Sequence, residues 1–447
     1  MSQPTSPPPT PTDRARRAVG GALLRAGART KGFIKSRVLQ VQPGPQLDPP
    51  LEELPDYPVV AYFAETPVRA YQLRQWLPVL EQVAADHPVA VVTRSWSMAR
   101  RLREETDLPV LYTRTLDGLL RIYEHVDAKA VVYVNNGMRN FQSLIYRRAL
   151  HVHVNHGESD KVSMVSNQAK AYDHVVVAGQ AAVERHRRAL VNFDLDRLVV
   201  CGRPQLDLDI EPILEPAAER RTVLYAPTWS GEDDANNYTS LDLYGVQIVR
   251  ALLARDDVRL VYKPHPRVLT TQDEGVAAAH AEIERLVAEA NAGGATEHHM
   301  PVDADILAIF ESVDLLVTDI SSVGLDFLYL RPDAPVVLTD RRTDRPRILA
   351  EAPISGATDI VDAGSVHKVA DILDSNLVAD PRHAARLEMR DHYFGFGRGE
   401  SSRRFREFVS DCIVRRDAMV AGRPAVETTR GDDGSAETEE GAEDLGA

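Results

Sequence analysis

The sequence alternates short apolar, β-branched runs with segments of helical periodicity, and this alternation most constrains what the chain can fold into. Such near-continuous apolar runs are typical of parallel strands that helices cover on both faces. Ten runs stand out, at residues 59–65, 88–95, 130–135, 150–157, 174–179, 198–202, 222–229, 258–266, 314–319 and 334–340. They form two sets, and the sequence therefore predicts an α/β fold of two doubly wound, Rossmann-like domains that face each other across a cleft.

The length of the chain agrees with two domains, because 447 residues exceed what one hydrophobic core usually organises. The gap between the two sets of strands, near residues 205–220, predicts a hinge. We therefore expect an N-terminal domain at 51–208 and a C-terminal domain at 215–415. The flanks, 1–50 and 420–447, have the composition of flexible segments.

The two flanks carry opposite charge. Residues 1–40 follow a proline-rich start and hold eight lysines and arginines against one acidic residue, with apolar residues interspersed. This pattern fits a basic amphipathic helix on an anionic membrane surface, and it equally fits a solvated basic arm. The tail from about residue 420 is strongly acidic and is expected to be solvated.

Composition excludes several classes of protein. The net charge of −14 argues against a general nucleic-acid binder. Two cysteines provide neither a disulfide framework nor metal-ligand spacing, which fits a reducing cytoplasm, and no metal site or cofactor is expected. No apolar run approaches the roughly 20 residues of a membrane span, and the first thirty residues show no secretory signal.

Polar clusters follow several of the predicted strands, and in a doubly wound sheet ligands bind beyond the carboxyl ends of the strands. The run at 258–266 ends in "YKPHPR", which places Lys263, His265 and Arg267 at that edge. The run at 314–319 ends at Asp319, and Ser321 and Ser322 follow where a helix begins. These clusters are therefore predicted to lie at the mouth of the second domain, facing the first.

The two serines allow two interpretations. Either serine can simply cap the helix, which is the commoner situation for such residues. A helix N-terminus also attracts anions through its free N–H groups and its dipole. Because Lys263, His265 and Arg267 reach the same edge, the sequence favours an anion site, most economically one for a pyrophosphate.

A histidine follows a strand of the first domain in "HVNHGESDK". His156 is next to Gly157, which we expect to let the backbone turn and to bring the imidazole to the cleft. An imidazole with an ordinary pKa near 6.5 suits a general base that deprotonates a hydroxyl. An isolated histidine after a strand is more often structural, so its role depends on what faces it.

Taken together and in order, the motifs "NHGESDK", "YAPTWSG", "KPHP", "TDISSVGLDF" and "FGFGRGESSRR" resemble those of the CDP-glycerol glycerophosphotransferase family, the teichoic acid polymerases and primases with a GT-B fold. The likeness covers about residues 150–410. The sequence departs from the family pattern at "ESD" (158–160), at Ser230 in place of an arginine and at Ile320 in place of a tyrosine.

The resemblance implies a role for each matching residue. It makes His156 the base, has His265 bind the donor phosphates and places Asp319 with them in the catalytic centre. The remaining residues that it assigns to substrate binding are Gly157, Lys161, Thr228, Trp229, Lys263, Arg267, Ser321, Ser322, Asp326, Ser401, Ser402 and Arg403. The last three are expected to close over the phosphates.

The activity implied by the resemblance is transfer of an alditol phosphate, glycerol phosphate in the first place, from a CDP-alditol to a hydroxyl of a lipid-linked polyol-phosphate or glycan acceptor, with release of CMP. Such an enzyme is expected in the cytoplasm, peripherally at the inner face of the cell membrane. Two alternatives stay open: a GT-B glycosyltransferase or epimerase that uses a nucleotide sugar, and a non-catalytic module of envelope assembly. The sequence does not predict the oligomeric state.

Overall fold

Two β-sheets organise the chain in the computed structural model, which describes residues 45–217, 219–294 and 297–421. The basic arm and the acidic tail, predicted as flexible, lie outside the described residues apart from a few positions at their inner ends. Every one of the ten apolar runs contains a strand. The predicted mixed α/β architecture with two parallel sheets is therefore confirmed.

The first sheet has eight strands in the order β1-β4-β3-β2-β5-β6-β7-β8. Its strands are β1 (Leu47–Asp48), β2 (Val59–Phe63), β3 (Val89–Thr93), β4 (Val110–Thr113), β5 (Ala130–Tyr133), β6 (Leu150–His153), β7 (His174–Val177) and β8 (Leu198–Val200). All neighbours run parallel except the edge pair of β1 and β4, which is antiparallel.

The second sheet has five parallel strands in the order β10-β9-β11-β12-β13. Its strands are β9 (Arg221–Ala226), β10 (Val258–Tyr262), β11 (Leu315–Thr318), β12 (Val336–Thr339) and β13 (Asp359–Val361). The strand order reverses between β9 and β11 here, and between β2 and β5 in the first sheet. At such a switch point the connections on the two sides diverge and leave a crevice beyond the strand ends, where ligands bind.

Helices cover both faces of each sheet. They are α1 (Ala70–Arg74), α2 (Leu77–Ala84), α3 (Trp96–Leu102), α4 (Leu116–His125), α5 (Asn140–Ser143), α6 (Gln180–Ala189), α7 (Val246–Leu253), α8 (Glu274–Gly293), α9 (Ser322–Leu330), α10 (Arg345–Glu351), α11 (Val369–Val378), α12 (His383–Tyr393) and α13 (Glu400–Val420). Several begin at side-chain caps: Thr115 accepts from the N–H of Gly118, and Asp273 accepts from the N–H groups of Gly275 and Val276.

Alternate side chains of each strand enter different hydrophobic cores, as the pleat of a strand requires. In β2, Val59 and Phe63 pack on one face of the sheet, and Val60 and Tyr62 pack on the other. Because both faces are buried, the strands read as continuous apolar runs, which is why the sequence identified them.

The last helix departs from the predicted domain boundaries. α13 falls mainly within the segment 215–415 assigned to the second domain, yet Phe405, Val409 and Cys412 pack in the same core as the first sheet. The ring of Phe405 lies 5.1 Å from that of Trp76 on the first-domain side. The chain therefore returns to the first sheet, and a boundary at residue 415 does not match the packing. The division of the remaining chain into the two domains stays a prediction.

No helix in the part of the chain that the structure describes combines the length and the apolar character needed to cross a bilayer. The two longest helices, α8 and α13, carry charged residues throughout.

Candidate functional site

The switch point of the second sheet is held together by Asp319, which follows β11 and is fully buried. One carboxylate oxygen accepts the backbone N–H of Thr228 at 2.6 Å, and the other accepts the N–H of Ser240 at 3.0 Å and the hydroxyl of Thr339. Burial raises the pKa of Asp319, and these hydrogen bonds oppose that shift. Because both oxygens are engaged, Asp319 fixes the loop after β9 rather than facing a ligand.

A lysine from the first-sheet side reaches this loop. Lys161, in the segment after β6, donates from Nζ to the hydroxyl of Thr228 at 2.9 Å, and the ammonium lies 5.8 Å from the ring centre of Tyr238. Burial lowers the pKa of Lys161 to about 8, and the charge of Asp319 opposes the shift. Most of the lysine is therefore cationic at neutral pH, at a place where a ligand phosphate would be strongly attracted.

The two predicted histidines share one neighbour. Tyr71, in α1, has its ring centre 5.9 Å from that of His156 and 6.3 Å from that of His265, edge-on to both. His156 follows β6 and His265 follows β10, so the carboxyl edges of both sheets meet at this tyrosine. The structure thus brings His156 and His265 into one crevice.

Both histidines are held neutral. Burial, followed by the charge of Arg203, lowers the pKa of His156 to about 4. Burial, followed by the charges of Lys161 and Arg267, lowers that of His265 to about 3. Nδ1 of His265 accepts the backbone N–H of Arg267 at 3.1 Å, so the neutral ring carries its proton on Nε2 and can donate it to an oxygen.

Trp229 and Arg267 form the wall beside His265. The guanidinium of Arg267 stacks on the indole at 4.1 Å from its ring centre, and the Trp229 ring centre lies 6.1 Å from that of His265. Arg267 also lies 3.6 Å from Glu232, whose other cationic neighbour, at 3.7 Å, is Arg69. Stacking holds the guanidinium plane in place beside the imidazole.

The N-terminus of α9 completes this side of the crevice. Ser321 occupies the N-cap position but its hydroxyl caps nothing, and its buried Oγ has no hydrogen-bond partner among the described residues. Ser322 faces Gly157: a Cβ built on that glycine would lie 3.4 Å from the Cβ of Ser322 and 3.8 Å from Nη1 of Arg203. The helix end therefore presents a free hydroxyl and free N–H groups next to the loop of His156.

Gly157 does not make the turn that the sequence analysis expected of it. The positive φ in this loop belongs to Asn155, at 55°, whereas Gly157 has an ordinary φ. The turn is therefore made by Asn155, whose side chain accepts the N–H of His156 at 2.8 Å. A Cβ at residue 157 would touch Ser322 at an ordinary van der Waals distance, so neither φ nor space requires a glycine here.

Asp326 pairs with an arginine that the sequence analysis did not single out. Oδ1 of Asp326 lies 2.5 Å from Nη1 of Arg203, and both side chains are buried. Burial raises the pKa of Asp326 to about 7, and Arg203 opposes that shift. The pair joins the segment after β8 to α9, so Asp326 is bonded within the protein rather than exposed to the crevice.

The ammonium group of Lys263 is likewise bonded within the protein. Its Nζ donates to the carbonyl of Val302 at 2.7 Å, and the side chain is buried, which lowers its pKa. The predicted role of Lys263 as a phosphate ligand is therefore not supported by its contacts, whereas Lys161, from the other side of the cleft, does reach the strand end.

Ser401, Ser402 and Arg403, in the motif "FGFGRGESSRR", were predicted to close over the phosphates, but their contacts are with other parts of the protein. Ser402 donates from N to Asp207 at 2.7 Å and from Oγ to Pro204 at 3.2 Å, and so ties the start of α13 to the segment after β8. Arg403 is exposed and pairs with Glu407 one turn on. Ser401 is buried against Gly202.

The residues "ESD" (158–160), where the sequence departs from the family pattern, form buried ion pairs and hydrogen bonds. Nη1 of Arg185 donates to Glu158 at 2.6 Å and Nη2 donates to Asp160 at 2.8 Å, while the hydroxyl of Tyr393 donates to the second oxygen of Asp160. All four side chains are buried. The loop that carries His156 and Lys161 is thereby fixed to α6 and α12.

Tyr71 and Arg203 are the main residues of the site that sequence reasoning missed. Tyr71 belongs to "ETPVRAYQLRQ", which carries no motif, and it lies in a helix several residues beyond the run at 59–65, so no local signal marks it. Arg203 follows the run 198–202 in "CGRP", and its position after a strand was the same signal that marked the other clusters.

Comparison with known proteins agrees with this geometry. The profile of the family described as CDP-Glycerol:Poly(glycerophosphate) glycerophosphotransferase matches residues 124–343. This range contains His156, Lys161, His265 and the N-terminus of α9. No curated protein sequence matches the chain significantly.

Solved structures establish the fold. A putative UDP-N-acetylglucosamine 2-epimerase from Listeria monocytogenes is similar with a TM-score of 0.55 and 15% identity, over 80% of this chain and 97% of that one. A UDP-GlcNAc 2-epimerase from Neisseria meningitidis bound to UDP-GlcNAc has a TM-score of 0.51 and 13% identity, over 79% and 99%. The wall teichoic acid polymerase TagF has a TM-score of 0.51 and 13% identity, over 90% and 97%.

These likenesses confirm the predicted GT-B-like fold, since at such identities they speak for the fold alone. The resemblance to a family rests instead on the matched profile and on the order of the motifs within it. The match over residues 124–343 confirms the resemblance of this chain to the CDP-glycerol:poly(glycerophosphate) glycerophosphotransferase family.

Proposed function

We propose that this protein transfers glycerol phosphate from CDP-glycerol to a hydroxyl of a lipid-linked, teichoic-acid-like acceptor and releases CMP. The observation that carries the proposal is the meeting of His156 and His265 at the ring of Tyr71. A base from one sheet and a phosphate ligand from the other are then within reach of one substrate.

The donor pyrophosphate fits the second-sheet side of the crevice. Its charge would be met by Lys161, by Arg267 and by the N-terminus of α9 with the free hydroxyl of Ser321. Nε2 of His265 would donate to a phosphate oxygen, because Nδ1 is occupied by a backbone N–H. Such preorganised donors stabilise the charge that develops on a phosphoryl group in flight.

The proposed reaction is an in-line displacement. The acceptor oxygen attacks the phosphorus that bears glycerol, a new P–O bond forms, and the bond to the bridging oxygen breaks, so that CMP leaves with that oxygen. His156 accepts the proton of the acceptor hydroxyl. Its low pKa keeps the ring neutral before substrate binds, and the negative charge of a bound donor raises that pKa and makes the ring a better base.

A lipid-linked acceptor would be presented at the cytoplasmic leaflet, and the basic arm of residues 1–40 would help to hold the enzyme there, at about 1 kcal/mol per basic residue near an anionic surface. Removal of residues 1–40 should then abolish sedimentation with vesicles of anionic lipid. Undiminished sedimentation would contradict a membrane role for the arm.

A screen of donors tests the proposed activity. The purified protein is incubated with CDP-glycerol, CDP-ribitol and UDP-N-acetylglucosamine, each with a glycerol-phosphate oligomer as acceptor, and the released nucleotide is identified. We expect CMP from CDP-glycerol and an oligomer longer by one unit. Release of UDP, or epimerisation of the sugar nucleotide, would instead support the nucleotide-sugar alternative that the fold neighbours represent. No product from any donor would support a non-catalytic role.

A further inference from the structure

A second recess lies on the first-sheet side of the loop that carries His156. It opens beyond the carboxyl ends of β6, β7 and β8, and its empty volume, including the part open to solvent, is about 610 Å³. Gly157 and Arg203 line it, so it adjoins the crevice described above. Val154, Met164 and the residues Val175–Ala178 give it an apolar floor.

Unpartnered polar atoms are concentrated on the walls of this recess. Five of its lining side chains carry buried atoms with no hydrogen-bond partner in the part of the chain that the structure describes: Asn136 (Oδ1), His153 (Nε2), Arg185 (Nε), Arg203 (Nε) and Gln205 (Oε1). His153 and Gln205 are only 3% exposed, and Arg203 only 6%. Buried polar atoms are rarely left without a partner, so this concentration indicates a ligand or bound water.

The charges around the recess are compensated. Arg185 forms ion pairs with Glu158 and Asp160, and Arg203 forms one with Asp326. Three carboxyl groups therefore compensate the charge of two guanidinium groups. His153 is neutral, because burial lowers its pKa to about 3. The recess therefore favours an anion less than the neighbouring crevice does, where, among the described residues, the ammonium of Lys161 donates only to a hydroxyl.

The chemistry of the free atoms identifies the class of ligand. Asn136 and Gln205 offer acceptors, Arg185 and Arg203 offer donors, and the neutral ring of His153 offers one nitrogen of either kind. A hydroxyl both donates and accepts, and the carbon atoms of a polyol suit an apolar floor. We infer that this recess binds the uncharged, hydroxylated end of the acceptor, a terminal glycerol or sugar unit, and presents one of its hydroxyls to His156.

This inference rests on the proposed function, since it names the substrate end that the base would deprotonate. It makes the two sides of the His156–Gly157 loop complementary: phosphates on the second-sheet side, neutral hydroxyls on the first-sheet side. The neighbourhood of Gly157, which Ser322 faces, would be the point at which the two substrates meet.

Binding of acceptor in the absence of donor provides the test. Two glycerol-phosphate oligomers of equal length, one ending in free glycerol and one ending in a phosphate monoester, are titrated calorimetrically into the full-length protein. The wild type should bind the glycerol-ended oligomer about tenfold more tightly, the effect of one or two buried hydrogen bonds. Gln205→Met and Asn136→Leu should each lose about tenfold in affinity for it and discriminate less between the two.

The matched control is Gln75→Met. Oε1 of Gln75 is likewise buried without a partner, but Gln75 does not line the recess. It should bind both oligomers as the wild type does. Since none of the three side-chain oxygens is bonded within the protein, the thermal unfolding midpoints should stay unchanged, which separates a binding defect from a folding defect.

Equal binding of the two oligomers by the wild type, or wild-type binding by Gln205→Met and Asn136→Leu, would overturn the inference and leave a water-filled cavity only. A failure of the proposed function has a different signature. In that case no CMP is formed from CDP-glycerol by the wild type, while the preference for the glycerol-ended oligomer and its loss in Gln205→Met persist.

Discussion

The carboxyl edges of the two sheets are built alike but differ in chemistry. At the edge of the second sheet, Lys161, Arg267 and Ser321 present charge and donors that the protein uses only in part. At the edge of the first sheet, Arg185 and Arg203 are matched by buried carboxylates. We therefore propose an anion-binding side at the second sheet and a neutral polar side at the first. The loops beyond the strands supply the difference, including the loop after β6 that carries Lys161 to the second sheet.

Removal of the imidazole of His156, the proposed base between the two sheet edges, should have the largest effect on activity. His156→Ala should lower the rate of CMP release in the presence of acceptor by about 10²–10⁴-fold, the usual cost of losing a positioned base. The unfolding midpoint should change little. His174→Ala, on the first sheet but packed against Phe408, serves as the control and should retain activity. A fully active His156→Ala would leave the first edge without a catalytic role.

The proposed anion-binding edge depends on Asp319, a carboxylate whose two oxygens are both bonded within the protein. Asp319→Asn replaces an acceptor of three hydrogen bonds by a group that must turn an NH2 toward a buried donor, and should destabilise the protein by about 3 kcal/mol in urea unfolding. Asp314, at the other end of β11, accepts the N–H of Thr222 at 2.7 Å but is partly exposed. Asp314→Asn should cost clearly less, and equal losses would contradict the organising role of Asp319.

Two lysines sharpen the assignment of charge to the second edge. Lys161→Met should weaken the binding of CDP-glycerol by roughly 10- to 100-fold, as expected for a hydrogen bond between charged groups. Lys263→Met should weaken it less, because the ammonium of Lys263 is engaged by the carbonyl of Val302. Calorimetric titration of CDP-glycerol into both variants measures the difference, and the opposite ranking would restore the role that sequence reasoning gave to Lys263.

The last expected effect, small within any one pH unit, is on how the free energy of unfolding depends on pH. The pKa of His156 is about 4 in the folded protein and about 6.5 in an unfolded chain, so between these values the unfolded state binds the extra proton. This contribution to stability is present above pH 6.5 and is lost as the pH falls toward 4, by at most about 1.4 kcal/mol per pH unit. Comparison of urea unfolding at several pH values should therefore show a shallower slope for His156→Asn than for the wild type. An unchanged slope would mean that the imidazole is not buried.

The sequence allowed much of the fold to be predicted because every strand that carries a functional residue is buried on both faces. The sequence analysis did not identify three strands, β1, β4 and β13, which are two to four residues long. The pair β1–β4 forms an edge, and β13 lies at the edge of the second sheet, where short strands have few apolar positions to reveal them. The destination of α13 was also missed, because helical periodicity does not reveal which sheet a helix covers.

The candidate site was predictable where residues follow strands and unpredictable where partners come from elsewhere. His156, His265 and the start of α9 were placed correctly at strand ends, and the structure brings them together. Tyr71 lies in a short helix without a motif, and the bond from Lys263 to Val302 joins a strand end to a distant loop. Such long-range partners decide whether a charged side chain is free to bind, and no local pattern records them.

The most direct measurement of the central claim, that both sheet edges serve one crevice, is a crystal structure of His156→Ala with CDP-glycerol bound. The pyrophosphate oxygens should lie within about 3 Å of Nζ of Lys161, Oγ of Ser321 and Nε2 of His265, with the glycerol directed toward Tyr71 and residue 156. A nucleotide bound with its phosphates away from the N-terminus of α9, or with its glycerol directed away from residue 156, would contradict the account.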